Sequence, residues 1–401
     1  MRQFQNLLQT LIVVLMASPV LQGADSRPKE TLAGLKEAYD VAIEEKRAKK
    51  PGVSQSEALA RFRKTAAALA RRALILAKAN PDTPTAVDTL AWIHTDLSGA
   101  SSETAEVLDA SYDLIVERYL DRDEIVPVCW LAANQALEPP HSETFLRAAA
   151  DRSPNLRVRG VACYALGRTQ HELARVARAL NAPITQKIIE RNLGPKLCAR
   201  VRTRQAEEYR RDAETAYERT IKEYSDQLSP VPASPPLGKQ AEDALFRLRY
   251  LEVGCNLPEV VGEDLDGIPL KLSNFRGKVM LISFWAAWCE PCMRLVPAEK
   301  ELVERMKGRP FVLIGVNGDG DRAKARAVSA NEGLNWRSFW DHGPKGPIAT
   351  KWNVSRWPTI YVIDAEGKIR DDGILYFEHF HQKSLANCFE QWVAEAEARL
   401  R

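Results

Sequence analysis

The sequence predicts two bodies of different class: an all-α part of helical hairpins, followed by an α/β part whose central mixed sheet is flanked by helices. Three observations predict it. Before residue 225, apolar residues recur at steps of three and four, the spacing of one helix face. Four prolines in eight residues then interrupt the chain at Ser229 to Pro236. From Leu251 onward, short apolar runs of strand length alternate with helical patterns, which implies a sheet packed against helices.

Residues 1–24 read as an export signal. Arg2 is the only charge before Asp25, an apolar run covers Leu11 to Leu15, and Gly23 and Ala24 offer a cleavage site. The run is short for a permanent span, and no cysteine lies near the cleavage region to take a lipid. An exported chain is expected, periplasmic or membrane-associated on the extracytoplasmic side. A short buried helix is the alternative.

Residues 25–228 are expected to be all-α. Ser54 and Glu57 have capping-box spacing. Leu59, Phe62, Ala66, Leu69, Ala73 and Leu76 then share one helix face. Asn80-Pro81 ends that helix, because a residue before proline is pushed out of the helical region. Another starts near Pro84, since proline suits the first turn, and carries Val87, Leu90, Ala91 and Ile93. Leu108, Tyr112, Ile115 and Tyr119 make a further stripe, and Pro139-Pro140 breaks the chain. Val161 to Leu166 is small and apolar, suited to close helix packing. Ala206, Tyr209, Ala213, Ala216 and Tyr224 line one side of a charged helix. Short helices joined by proline turns resemble stacked hairpins of the tetratricopeptide or HEAT kind, with an irregular bundle as the alternative.

Residues 229–250 are expected to form a proline-rich, semi-rigid spacer and a bridging helix from Lys239 to about Glu252. In the last part, 251–401, strands are expected at Val279–Trp285, Phe311–Val316 and Thr359–Ile363. Helices are expected at Met293–Met306 and Arg322–Asn331, and a final one from Gln382 to Leu400. Asp364 to Gly367 suits a hairpin turn into a strand near Lys368–Arg370.

Composition excludes several classes. With 45% hydrophobic and 27% charged residues, the chain is neither disordered nor membrane-embedded. A net charge of +3 from 56 basic and 53 acidic residues is too even for a nucleic-acid binder. No nucleotide loop or metal-ligand pattern stands out, so no cofactor and no metal is expected. Asp319-Gly320-Asp321 has a fragment of a calcium loop without the remaining ligands, and reads as a turn before a helix.

Of seven cysteines, only Cys289 and Cys292 have motif spacing, in Trp288-Cys289-Glu290-Pro291-Cys292. They sit where an apolar strand ends and a helix begins. Unpaired N–H groups at a helix start stabilise a thiolate on the first cysteine, and thiolate is the nucleophile of disulfide exchange. The second cysteine can then resolve the mixed disulfide. Pro291 stiffens the turn and removes an N–H that a helix start does not need. A structural disulfide and half of a zinc site are the alternatives. Zinc needs a second ligand pair, and His379 and His381 stand in no ligand pattern with another pair. Most of Cys129, Cys163, Cys198, Cys255 and Cys388 are expected to be small buried hydrophobes.

Four segments carry a resemblance. Gly262-Glu263-Asp264-Leu265-Asp266-Gly267, leading to Leu270 through Lys278, looks like a hairpin before an active strand. Phe284 to Cys292 is the second, the strand–helix segment Val312 to Asn331 the third, and Val354-Ser355-Arg356-Trp357-Pro358-Thr359 the fourth. Together, residues 253–375 resemble the TlpA/ResA branch of the thioredoxin superfamily. The resemblance implies a thioredoxin-like fold and a thiol–disulfide oxidoreductase, a reductase in preference to an oxidase. It implies that Cys289 and Cys292 are catalytic, that Pro358 is cis beside them, and that the Trp357 backbone pairs with substrate. Trp288 and Pro291 would complete the substrate surface. Substrates would be thiol- or disulfide-containing proteins, such as cysteines awaiting haem in cytochrome maturation, with electrons from a membrane donor.

Two positions depart from the family. Ser283 stands where thioredoxins carry a buried Asp, and Leu295 where proteins closest to ResA carry a Glu. Both carboxyls assist proton transfer, so the general base is unassigned. Glu290 is a poor substitute, because a negative charge there opposes thiolate formation. Two other functions compete. A peroxidase of the peroxiredoxin kind needs a Thr where this chain has Ala286. A scaffold would use the helical part to hold a protein partner, with the α/β part nearly inert.

Overall fold

The computed structural model describes residues 30–48, 53–98, 104–135, 141–354, 356–371 and 385–399. The expected export segment, the Pro139-Pro140 break, and His379 and His381 lie outside them.

The helical body holds α1 (Leu32–Arg47), α2 (Gln55–Ala79), α3 (Pro84–Trp92), α4 (Ala105–Arg118), α5 (Val126–Ala132), α6 (His141–Arg152), α7 (Leu156–Asn181), α8 (Pro183–Val201), α9 (Ala206–Glu223) and α10 (Leu237–Tyr250). Local chemistry sets its boundaries. The Glu57 N–H donates to Ser54 Oγ and the Ser54 N–H to Glu57 Oε2, a closed capping box at the start of α2. Pro84 opens α3, with the Ala86 N–H donating to Thr83 Oγ1. A π turn, Ile93–Leu97, follows α3 directly.

The expected stripes face inward. Ala66, Leu69, Ala73, Leu76, Val87, Leu90, Leu108, Tyr112 and Ile115 share one core, while Phe62 packs half-buried at its edge and Leu59 is half-buried. Each large apolar side chain fully buried there contributes about 1.5–3 kcal/mol. The later helices gather round α7, which packs on α5, α6, α8, α9 and α10. Gly167 permits the closest approach: a Cβ there would lie 2.7 Å from the Tyr217 ring of α9.

The α/β body begins with a hairpin, β1 (Val261–Glu263) and β2 (Pro269–Lys271), in antiparallel register. There follow β3 (Val279–Trp285), α11 (Glu290–Arg305), β4 (Phe311–Asn317), α12 (Arg322–Asn331), β5 (Ser338–Trp340), α13 (Pro347–Lys351), β6 (Thr359–Ile363), β7 (Ile369–Asp371) and α14 (Leu385–Arg399). The sheet order is β5-β4-β3-β6-β7. Strands β3, β4 and β5 run parallel, while β6 and β7 are antiparallel to their neighbours.

All seven residues of β3 are buried, because helices cover both sheet faces. Side chains alternate between those faces. Val279 and Leu281 join Leu295 and Leu302 of α11 and Phe389 and Trp392 of α14. Met280, Ile282 and Phe284 join Leu270, Phe339 and Trp352 on the other side.

The proline-rich segment leads into α10, and this helix does more than bridge. Leu237, Ala241, Leu245 and Leu248 complete the helical core, while Phe246 packs on the sheet core. Directly after it, Glu252 is buried between the bodies. Its Oε1 lies 2.8 Å from His171 Nε2, and its Oε2 accepts from Arg178 Nη1 at 2.8 Å. Burial alone would push this carboxyl up, but His171, Arg175 and Arg178 outweigh it and hold it well below the usual range.

Candidate redox site

The site forms where β3 hands over to α11. Strand β3 ends at Trp285, whose Nε1–H donates to Ser338 Oγ of β5 at 3.2 Å. The chain then turns, closed by the Cys289 N–H donating to Ala286 O at 3.0 Å. Cys289 occupies the N-cap of α11, and its Sγ receives the Cys292 N–H at 3.1 Å. Cys289 and Cys292 are joined in a disulfide. Pro291 lies in the first helical turn, where its missing N–H leaves no bond unmade. The helix dipole therefore points its positive end at the sulfur of Cys289.

Both cysteines are buried, at 3% exposure each, whereas Trp288 is 51% exposed. Opposite them runs the loop before β6, with the Trp357–Pro358 peptide bond in the cis form. The Trp357 indole meets Trp288 edge-on, with ring centres 5.4 Å apart, and reaches Phe284 at 6.1 Å. The structure thus brings Trp288, Cys289, Pro291, Cys292, Trp357 and Pro358 to the end of one strand and the loop facing it. Ser355 lies outside the described residues.

The proton-handling groups differ from the family pattern as expected. Ser283 is buried within β3, and Leu295 packs in the core. Glu290 points outward, 82% exposed, and pairs with Arg294 one turn on at 2.6 Å. An exposed pair of this kind contributes little. Glu299 and Asp319, both buried on the elements that flank the cysteines, escaped the sequence reasoning. Glu299 lies two helical turns beyond Cys292. Asp319, expected to be part of a turn, is 3% exposed, and its Oδ2 accepts the Ala287 N–H at 2.9 Å. The sequence held one usable signal for Asp319: an acidic residue just past the end of the strand beside β3. Among the outlying cysteines, Cys129, Cys163 and Cys198 are buried as expected, and Cys255 is half-buried. The Cys388 side chain lies outside the described residues.

This sheet, with its disulfide at a helix start and a cis proline opposite, defines a thioredoxin-fold protein with a dithiol–disulfide site. Comparison with known proteins agrees. Residues 253–372 match the AhpC/TSA family. The thiol–disulfide oxidoreductase ResA of Geobacillus kaustophilus is 30% identical over 118 residues, which cover 29% of this chain and 67% of that protein. ResA of Bacillus subtilis is 28% identical over 134 residues, 33% of this chain and 74% of that protein. A solved thiol:disulfide interchange protein from Bacteroides sp. matches 35% of this chain and 90% of its own at 24% identity, with a TM-score of 0.31. Through its C-terminal third, the chain belongs to the ResA-like thiol–disulfide oxidoreductases. The family match begins at residue 253, after the helical body, and these relatives cover about a third of the chain.

Proposed function

We propose that this chain reduces disulfides in exported protein substrates. In the reduced protein, the Cys289 thiolate attacks one sulfur of a substrate disulfide and expels the other as a thiolate. Cys292 then attacks Cys289 Sγ, the substrate leaves as a dithiol, and the Cys289–Cys292 disulfide remains. A membrane-bound dithiol donor would return two electrons and two protons. Trp288, Pro291, Trp357 and Pro358 form the surface on which the substrate strand lies, and the Trp357 backbone pairs with it. The observation that carries this reading is the disulfide at the N-cap of α11, facing the Trp357–Pro358 loop.

Residues 1–24 would direct the chain out of the cytoplasm. The division into 25–228, 229–250 and 251–401 gives the helical body the task of holding a protein partner. Cysteines of cytochromes awaiting haem are the substrate class that the family suggests.

Purified protein should accelerate insulin reduction by dithiothreitol, and Cys289→Ser should abolish it. Rates no higher than those of free dithiothreitol would sink the proposal. The reduction potential gives the direction: a value near roughly −270 mV means a reductant, and one near −120 mV an oxidant.

Burial of both sulfurs, with Ser283 and Leu295 in place of carboxyls, favours a second reading in which the helical body is a scaffold and the redox pair nearly inert. A Cys292→Ala trap separates them. Captured partners in mixed disulfide support chemistry, and an empty trap beside a stable non-covalent partner supports scaffolding.

A further inference from the structure

The turn Asn317–Gly318–Asp319, where β4 ends, touches the end of β3, the loop before Cys289 and the Trp357 ring. The Gly318 N–H donates to Trp285 O at 2.9 Å, tying the turn to the end of β3. Asp319 Oδ2 accepts two bonds, from the Ala287 N–H at 2.9 Å and from Asn317 Nδ2 at 2.8 Å. Asn317 Oδ1 accepts the Asp319 N–H in return at 3.1 Å. Asp319 O accepts Trp340 Nε1–H at 2.9 Å, which anchors the turn to β5. Asn317 is fully buried and Asp319 nearly so. The same turn seats the cis-proline loop, since a Cβ on Gly318 would lie 2.3 Å from the Trp357 ring.

We propose that this turn is a positioning element of the redox site. Asp319 pins Ala287 and so aims Cys289 Sγ at the Cys292 N–H. Gly318 sets the depth of the Trp357 indole and so the width of the cleft a polypeptide disulfide enters. The inference rests on the reading that the site exchanges disulfides with polypeptides. The segment from Trp285 to Cys289 has one internal bond, Cys289 N–H to Ala286 O, and that bond does not fix its tilt against the sheet. The Asp319 bond reaches across 32 residues of sequence and does. Without it the turn swings, Sγ drifts from the Cys292 N–H, and the thiolate loses a donor. Aspartate and asparagine both offer the acceptor, and alanine offers none.

The test uses the full chain, reduced with dithiothreitol and freed of it. Iodoacetamide alkylation of Cys289 is followed from pH 5 to 10, with the site resolved by mass spectrometry. Asp319→Ala should slow alkylation at pH 7 by about tenfold and shift the profile to higher pH, because small misplacements of a reacting group carry large rate effects. Asp319→Asn should stay within about threefold of the native protein, as rescue of position without charge. Gly318→Ala should raise KM for insulin at least about fivefold more than for a small aromatic disulfide, the mark of a narrowed cleft. The proposal is overturned if folded Asp319→Ala matches the native profile, if Asp319→Asn fails as badly as Asp319→Ala, or if Gly318→Ala alters both substrates alike. Should Asp319→Ala not fold, the proposal is overturned by Asp319→Asn alkylating more than about tenfold slower than the native protein, or by Gly318→Ala altering both substrates alike. Alkylation needs no disulfide substrate. Native protein inactive on insulin, yet showing the expected profiles, would reject the functional reading and leave the pinning role of Asp319 standing.

Discussion

An indole immediately before the cis proline places a bulky wall beside the backbone that an incoming strand would pair with. Trp357 packs against Gly318 and meets Phe284 and Trp288 edge-on, so under the proposed function its edge toward Trp288 is the part a substrate strand would meet. Trp357→Ala should therefore raise KM for insulin by about tenfold while kcat stays within about threefold, the pattern of lost binding common to both states. Steady-state rates over a range of insulin concentrations check it, and an unchanged KM would remove Trp357 from the binding surface. At this scale the sequence was informative where a motif is local. Cys289 and Cys292 are three residues apart, and a helix start brings their sulfurs together. Asp319 was opaque for the opposite reason. Its position past the end of β4 was readable, but its partner is a backbone N–H 32 residues away, which no side-chain pattern announces.

Helix boundaries at Ser54, Pro84 and the N-cap of α11 were legible, because each is set by chemistry within three residues. The π turn after α3 was not, since its cause lies in what surrounds it. It buries His94, whose Nε2 lies 3.0 Å from Ser111 Oγ and whose ring lies tilted against Tyr112, centroids 4.2 Å apart. Burial pushes the His94 imidazole down to about 3. An unfolded histidine titrates near 6.5, so between these values the unfolded chain binds the extra proton. The stability of the helical body should then fall as pH drops from about 6.5 toward 3, by roughly 1.4 kcal/mol per unit from this residue alone. His94→Gln, which can keep the bond to Ser111 but cannot titrate, should flatten that limb. Urea unfolding at pH 7, 5 and 4 makes the comparison, and equal slopes for both proteins would show that His94 is not the acid-sensitive group.

Between the two bodies lies a junction that sequence inspection had no means to find. His171 and Glu252 are 81 residues apart, and neither belongs to a recognisable motif. Composition did show that the chain changes class near residue 230, since prolines and strand periodicity are written locally. It did not show that the two bodies share a buried ion pair. Replacing Glu252 with Ala leaves Arg178 and His171 facing a void, and losses of about 3–5 kcal/mol are usual when one partner of a buried pair is removed. The folded carboxyl titrates below its unfolded counterpart, so its contribution is full above the ordinary carboxylate range, near pH 4.5, and is lost as pH falls toward 2. Guanidinium unfolding of native protein and Glu252→Ala at pH 7 and pH 3 should show the gap between them close on acidification. Helix α10 adds a last consequence. Leu245 and Phe246 are neighbours in sequence, yet one completes the helical core and the other packs on the sheet core. A helix held in common is thermodynamic linkage: loosening either core withdraws burial from an element the other depends on. The persistence of the redox sheet is thereby tied to helices that carry none of its chemistry.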